Sequence, residues 1–220
     1  MLVVQPTGYA FDNGCTLDAM AQLGPGARGI AVVPQDVSGA ELERLNRAGM
    51  RGVRFMMLAG GVLGWDSLDA LAARIAPLNW IINLQLDGRD LPMHETRLAR
   101  LPCRLSIDHL AKFLGPTRIE DEAFRSLCRL LDSGNCWIKL SAPYESSRSG
   151  PPDYADVAPL ARELALRYPE RCLWASNWPH PNINPHPSCT QLLEWIFRHV
   201  ESEAGRHKML VDNPAELYGF

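Results

Sequence analysis

Arg171-Cys-Leu-Trp-Ala-Ser-Asn-Trp-Pro-His-Pro-Asn182 is an apolar run that breaks abruptly into a polar, proline-rich turn. A strand that ends this way presents side chains at the mouth of a parallel barrel, where α/β barrel enzymes keep their chemistry. Asn177 falls where the strand stops, so its side chain belongs to that mouth. Six short β-rich runs precede it: Leu2–Gln5, Arg28–Val33, Gly52–Met57, Trp80–Leu86, Arg104–Asp108 and Cys136–Leu140. Helix-period segments lie between them. Ser38-Gly-Ala-Glu41 is a capping box opening a helix with Leu42 and Leu45 on one face. Asp66–Ile75 is an amphipathic helix, and Ile119–Leu131 is another, closed by Gly134. Tyr154–Tyr168 and Ser188–Val200 complete the set.

Strand starts fall 24 to 36 residues apart, the spacing of repeated βα units with parallel strands. No linker or low-complexity segment interrupts the series, so one domain spanning residues 1–220 is expected. A doubly wound sheet is the rival, but no G-x-G-x-x-G turn follows the first strand. A closed eight-stranded barrel takes about 250 residues, and this chain opens on a strand at its second residue. The expected fold is therefore α/β, a (β/α)8 TIM-type barrel lacking its first βα unit, as if truncated at the N-terminus. About seven parallel strands with outer helices remain. Such an array exposes unpaired backbone at two strands. An upstream segment, a partner chain or re-pairing must close it, and a homo-oligomer is left open.

The chain is 46% hydrophobic and 21% charged, with a formal net charge of −3. Nucleic acid and anionic membrane are thereby excluded as expected partners. No apolar run is long enough to cross a bilayer. The six cysteines form no C-x-x-C pair, and no signal peptide is evident, so a cytoplasmic location without disulfides is expected. Cys128, Cys136 and Cys172 read as small buried hydrophobes.

Several motifs follow one another in a fixed order: Gln5-Pro-Thr-Gly-Tyr-Ala-Phe-Asp-Asn13, Ala27–Val33, Gly49-Met-Arg-Gly-Val-Arg-Phe55, Ile107-Asp-His-Leu110, Ser176-Asn-Trp-Pro-His-Pro-Asn182 and Asp212–Phe220. Together they resemble the amidohydrolase superfamily over essentially the whole chain, in the branch of the 2-pyrone-4,6-dicarboxylate lactonases and related sugar and muconolactone lactonases. The resemblance implies a TIM-type barrel, a lactone or similar cyclic ester of a small carboxylic acid as substrate, and a divalent metal, zinc, as cofactor. This chain departs from the pattern at three places. It has no H-x-H, where the family carries D-x-H-x-H on its first strand. It has Asn177 where the family places its general-base Asp. Gly60 and Asn83 stand where the lactonase uses Arg and Tyr for its dicarboxylate.

Arg54 lies on an alternating strand with Val53 and Phe55 on the other face. A charge facing into a barrel needs a partner: a substrate carboxylate, as the resemblance implies, or a salt bridge to Asp87 or Asp108. His109 ends its strand at the mouth, where it polarises a substrate carbonyl or, as a weak candidate, ligates the metal, with Asp108 orienting it. A structural, hydrogen-bonded histidine is the competing account. An amide is no base, so Asn177 orients water or substrate, and His180, three residues on, is the candidate replacement base. Thr7 and Tyr9 are candidate substrate contacts or turn residues. His109 alone, even with Asn177, falls short of the three protein ligands of a catalytic zinc, so weak metal binding is expected. The leading function is a hydrolase attacking a lactone with water. The alternatives are an inactive relative or fragment that binds a small acid, and a metal-dependent decarboxylase of the same superfamily.

Overall fold

The computed structural model describes residues 1–181 and 183–220, so Asn182 lies outside the described residues. Seven strands form one sheet in sequence order: β1 (Leu2–Val4), β2 (Arg28–Ala31), β3 (Met50–Met56), β4 (Ile81–Gln85), β5 (Leu105–Ile107), β6 (Cys136–Lys139) and β7 (Cys172–Leu173). Every neighbouring pair is parallel. Crossover helices join them: α1 (Gly14–Leu23), α2 (Gly39–Arg47), α3 (Trp65–Ile75), α4 (Leu91–Ala99), α5 (Glu122–Asp132) and α6 (Ala158–Arg167). After β7 come α7 (Cys189–Phe197), α8 (Glu203–His207) and α9 (Asn213–Tyr218).

Alternation along the strands sorts the side chains into two cores. Val53, Phe55, Ile82, Leu84, Leu105, Ile107, Cys136 and Ile138 belong to the large cluster beneath the helices. Ile30, Ile81, Trp137 and Leu173 form a second cluster with Leu217 and Tyr218 of α9. Ile30 is on β2 and Leu173 on β7, so their shared cluster requires a strongly curled sheet whose concave side α9 plugs. Asn213 donates to the Cys172 carbonyl at 2.7 Å, and Arg28 on β2 donates to the Gly219 carbonyl. The last helix thus ties the two sides of the curl together. Leu217 and Tyr218 are buried there, while Phe220 is 45% exposed beside Arg28. Gly52 faces inward where a Cβ would come within 2.6 Å of the Ile81 carbonyl, so the β3–β4 approach demands glycine.

The architecture is a TIM-type barrel lacking one unit. Among the described residues β1 and β7 do not pair with each other. Ser38 caps α2 by accepting from the Glu41 amide at 3.1 Å; the Glu41 carboxylate turns to Arg44 at 2.7 Å instead of closing the box. The third predicted helix begins three residues later than its periodicity suggests, at Glu122. Cys128, Cys136 and Cys172 are buried and all six thiols are free. Among the described residues no helix is long and apolar enough to cross a membrane.

Candidate active site

Above the apolar plug the inward positions become polar. Arg54 is in register with Asn83, and Asn83 with Ser106. Lys139 follows inward-facing Trp137 on β6, and Asp108 follows β5. The Lys139 ammonium donates to Asn83 Oδ1 at 2.6 Å and sits 2.8 Å from Asp108 Oδ1. Asn83 Nδ2 donates to Asp108 Oδ2 at 2.9 Å. Both ionic side chains are nearly inaccessible, 5% and 4% exposed. Burial opposes ionisation of Asp108, but the charges of Lys139, of His109 once acid protonates it, and of Arg54 overcome it and hold the carboxyl at about 2. Burial likewise opposes the charge on Lys139, and Asp108 overrides it to raise that group.

Arg54 does not form the anticipated salt bridge. Asp87 is taken by Arg89 at 2.5 Å and Asp108 by Lys139. Arg54 Nη1 donates to the Gln5 carbonyl at 2.8 Å and Nη2 to Gln85 Oε1 at 2.7 Å, both neutral acceptors. Its Nε is buried with no hydrogen-bond partner. A guanidinium so placed is held in position without an ion-pair partner of its own.

His109 opens a turn, His109–Lys112, in which four consecutive residues have φ between 45° and 62°. Left-handed backbone is costly for residues other than glycine. Burial of Leu110 and Ala111 and the Lys112–Glu145 ion pair at 2.7 Å hold it. His109 is 6% exposed, and its Nδ1 lies 3.0 Å from Ser141 Oγ. Burial pushes its pKa down, with Asp108 opposing, so the ring is neutral at pH 7.

Asn177, also left-handed at φ 56°, follows β7. Its Nδ2 donates to the Tyr144 hydroxyl at 2.9 Å and reaches Glu145 Oε1 at 3.5 Å. Tyr144 lies 3.0 Å from His180 Nδ1, and His180 Nε2 lies 3.3 Å from Cys189 Sγ. Burial pushes the Tyr144 hydroxyl up to about 12 and lowers the His180 pKa. Both nitrogens of His180 are therefore engaged, and it is a poorer base than its sequence position suggests. Thr7 sits past β1, its hydroxyl 3.2 Å from the Met56 sulfur, while Tyr9 is 50% exposed.

Two buried, neutral histidines give the fold an acid-sensitive step. A lowered histidine pKa means the unfolded chain binds protons more readily than the folded one. Stability is full above the unfolded value of 6.5 and declines as pH falls toward the lowered folded values. Urea midpoints measured between neutral pH and mild acid should fall, and His180→Gln should flatten part of that slope.

The structure brings Asn177 and His180 together through Tyr144, and sets His109 beside Asp108. The chief residue missed in the sequence is Lys139, and the available signal was a lone lysine in an otherwise apolar strand, Cys136-Trp-Ile-Lys-Leu140. Tyr144 and Glu145 stand on a turn after β6 and carried no pattern.

The donor set does not fit a divalent metal. Among the described residues no three His, Cys, Asp or Glu side chains cluster as a metal site would require. The Asp108 carboxylate is already engaged by Lys139 and Asn83.

The model of the amidohydrolase family (Amidohydro_2) matches residues 2–220. The chain belongs to the amidohydrolase family. It is 35% identical to D-galactarolactone isomerase of Agrobacterium fabrum over 99% of its own length and 75% of the relative's. It is also 35% identical to 2-pyrone-4,6-dicarboxylate hydrolase of Comamonas testosteroni, with the same coverage of both chains. A ligand-free crystal structure of an Agrobacterium tumefaciens protein superposes with a TM-score of 0.94 at 35% identity, covering 100% of this amidohydrolase and 79% of that chain. Its relatives are thus lactone-acting hydrolases and isomerases.

Proposed function

We propose that this chain acts on the ring ester of a small lactone carrying one carboxylate. The observation that carries the reading is Arg54, a guanidinium at the strand ends with two neutral partners and a buried, unpartnered Nε. Among the described residues at this end, Lys139 and Lys112 have acidic partners and Arg54 has none. One cation without an ion-pair partner matches one carboxylate, bound as a planar fork. A dicarboxylate of the kind named for the Comamonas relative would bring a second charge with nothing to meet it.

In this reading the Arg54 fork fixes the acid end and Thr7 and Tyr9 border the ligand. Neutral His109 donates to the ring carbonyl and stabilises the developing oxyanion. Asn177 orients the attacking group by hydrogen bonding, because its amide cannot take a proton. Water attack gives a hydroxy acid. Asn177 and the 35% identity to a lactone isomerase favour a second reading, in which a hydroxyl of the substrate attacks and one lactone becomes another without consuming water. The free thiols support a reducing, cytoplasmic setting.

The test is incubation with five- and six-membered lactones bearing one carboxylate, followed by proton release and NMR. Acid release supports hydrolysis, and ring interconversion without acid supports isomerisation. Carboxylate binding without turnover leaves a small-acid-binding protein. Absence of turnover overturns the proposal.

A further inference from the structure

We propose that Glu145 is the general base of this site, supplying the carboxylate that position 177 lacks. The inference rests on the lactone-opening reading above. Glu145 ends the turn Pro143–Glu145 that follows β6, on the same rim as Asn177 after β7. Its side chain is 14% exposed, open enough to meet water and sheltered enough to be held in place. Oε2 contacts the Lys112 ammonium at 2.7 Å, and Oε1 lies 3.5 Å from Asn177 Nδ2. Its charge is felt by both His109 and Tyr144, so the carboxylate stands among the groups assigned to polarisation and orientation.

This placement explains the amide at 177. An Asp there would face Glu145 across roughly the same 3.5 Å. Two carboxylates that close do not both ionise readily. Asn177 instead donates to the Tyr144 hydroxyl and toward Glu145, keeping one negative charge where two would repel. Glu145 keeps Oε1 with only the 3.5 Å contact to Asn177, whereas the other candidate bases have both acceptor atoms held more closely. Asp108 is bound by Lys139 and Asn83, and Asp87 by Arg89 and the Leu114 amide. His180 has both ring nitrogens occupied.

The step balances without any added reagent. Glu145 takes a proton from water as the water oxygen bonds to the lactone carbonyl carbon. The ring C–O bond breaks, and the proton passes to the departing alkoxide, giving the hydroxy acid and regenerating the carboxylate. Lys112 is a positioning residue that orients Glu145 and, through the left-handed turn, His109.

The experiment uses the full chain and a monocarboxylate lactone that the wild type opens. Glu145→Gln should lower kcat by about 10²–10⁴-fold, leave KM little changed, and remove the acid limb of the kcat–pH profile. Asn177→Asp in the Glu145→Gln background should regain activity by about tenfold or more, since a carboxylate returns without its repelling neighbour. Near-wild-type turnover by Glu145→Gln, or a fall that leaves the acid limb in place, overturns the assignment while leaving the lactone reading intact. A wild type that opens no lactone overturns both.

Discussion

Asp108→Asn is expected to destabilise the folded chain by about 3–5 kcal/mol, read as a drop in the urea midpoint at neutral pH. The substitution keeps the shape of the side chain but leaves the Lys139 ammonium, 5% exposed, without a counter-charge. An unpaired buried charge costs more than the pair contributes, because desolvation is no longer offset. The corresponding double change, Asp108→Leu with Lys139→Met, should recover most of the loss. Failure to recover would mean that the pair orders the strands in a way apolar packing cannot replace. Acid should act in the same direction, by a smaller amount. The Asp108 carboxyl is held at about 2 against an ordinary 3.8. Its contribution is therefore present above 3.8 and lost as pH falls through about 2, worth about 2 kcal/mol by linkage. A wild type whose unfolding free energy is flat between pH 4 and pH 2 would contradict the ion pair.

Arg54→Met should have the opposite signature. Removing a guanidinium that lacks an ion-pair partner takes away two hydrogen bonds to Gln5 and Gln85 but also a partly buried charge that repels Lys139. These effects oppose each other, so stability should stay within about 1 kcal/mol of the wild type. Carboxylate affinity should instead fall by about 2–5 kcal/mol, roughly thirty-fold or more in Kd. Isothermal titration with a monocarboxylate lactone or its hydroxy acid measures this directly. Unchanged affinity would remove Arg54 from the binding site and, with it, the charge-matching argument for a single carboxylate.

The fold was largely legible because its signal is collective. Seven apolar β-rich runs at regular spacing leave few topologies, and each run proved to be a strand, in order and parallel. Strand ends were less legible: the Arg28–Val33 run yields a strand only to Ala31, and the run Cys172–Ala175 only Cys172–Leu173. Arg54, His109 and Asn177 could be singled out as candidates because each sits beside a strand terminus. Their partners were not found, because partnership depends on which residues meet across a curled sheet. Asp108 was read as an orienting group for His109, or an ion-pair partner for Arg54, and is the counterion of Lys139 on the neighbouring strand. Lys139 was absorbed into an apolar run, although period-two alternation puts it on the inner face with Trp137. Glu145 lies 32 residues from Asn177, and only the closeness of two loop tips makes them neighbours.

The two cores described above make the wall of this barrel intolerant of changes in count rather than in kind. On β6, Cys136 and Ile138 face helices while Trp137 and Lys139 face the cavity. One residue inserted within that strand would exchange the two sets, driving an ammonium among aliphatic groups and an isoleucine into the polar chamber. The same insertion in the turn after the strand would leave both sets in place. Length variation is thus confined to the rim, where it can reshape ligand choice without disturbing what supports it.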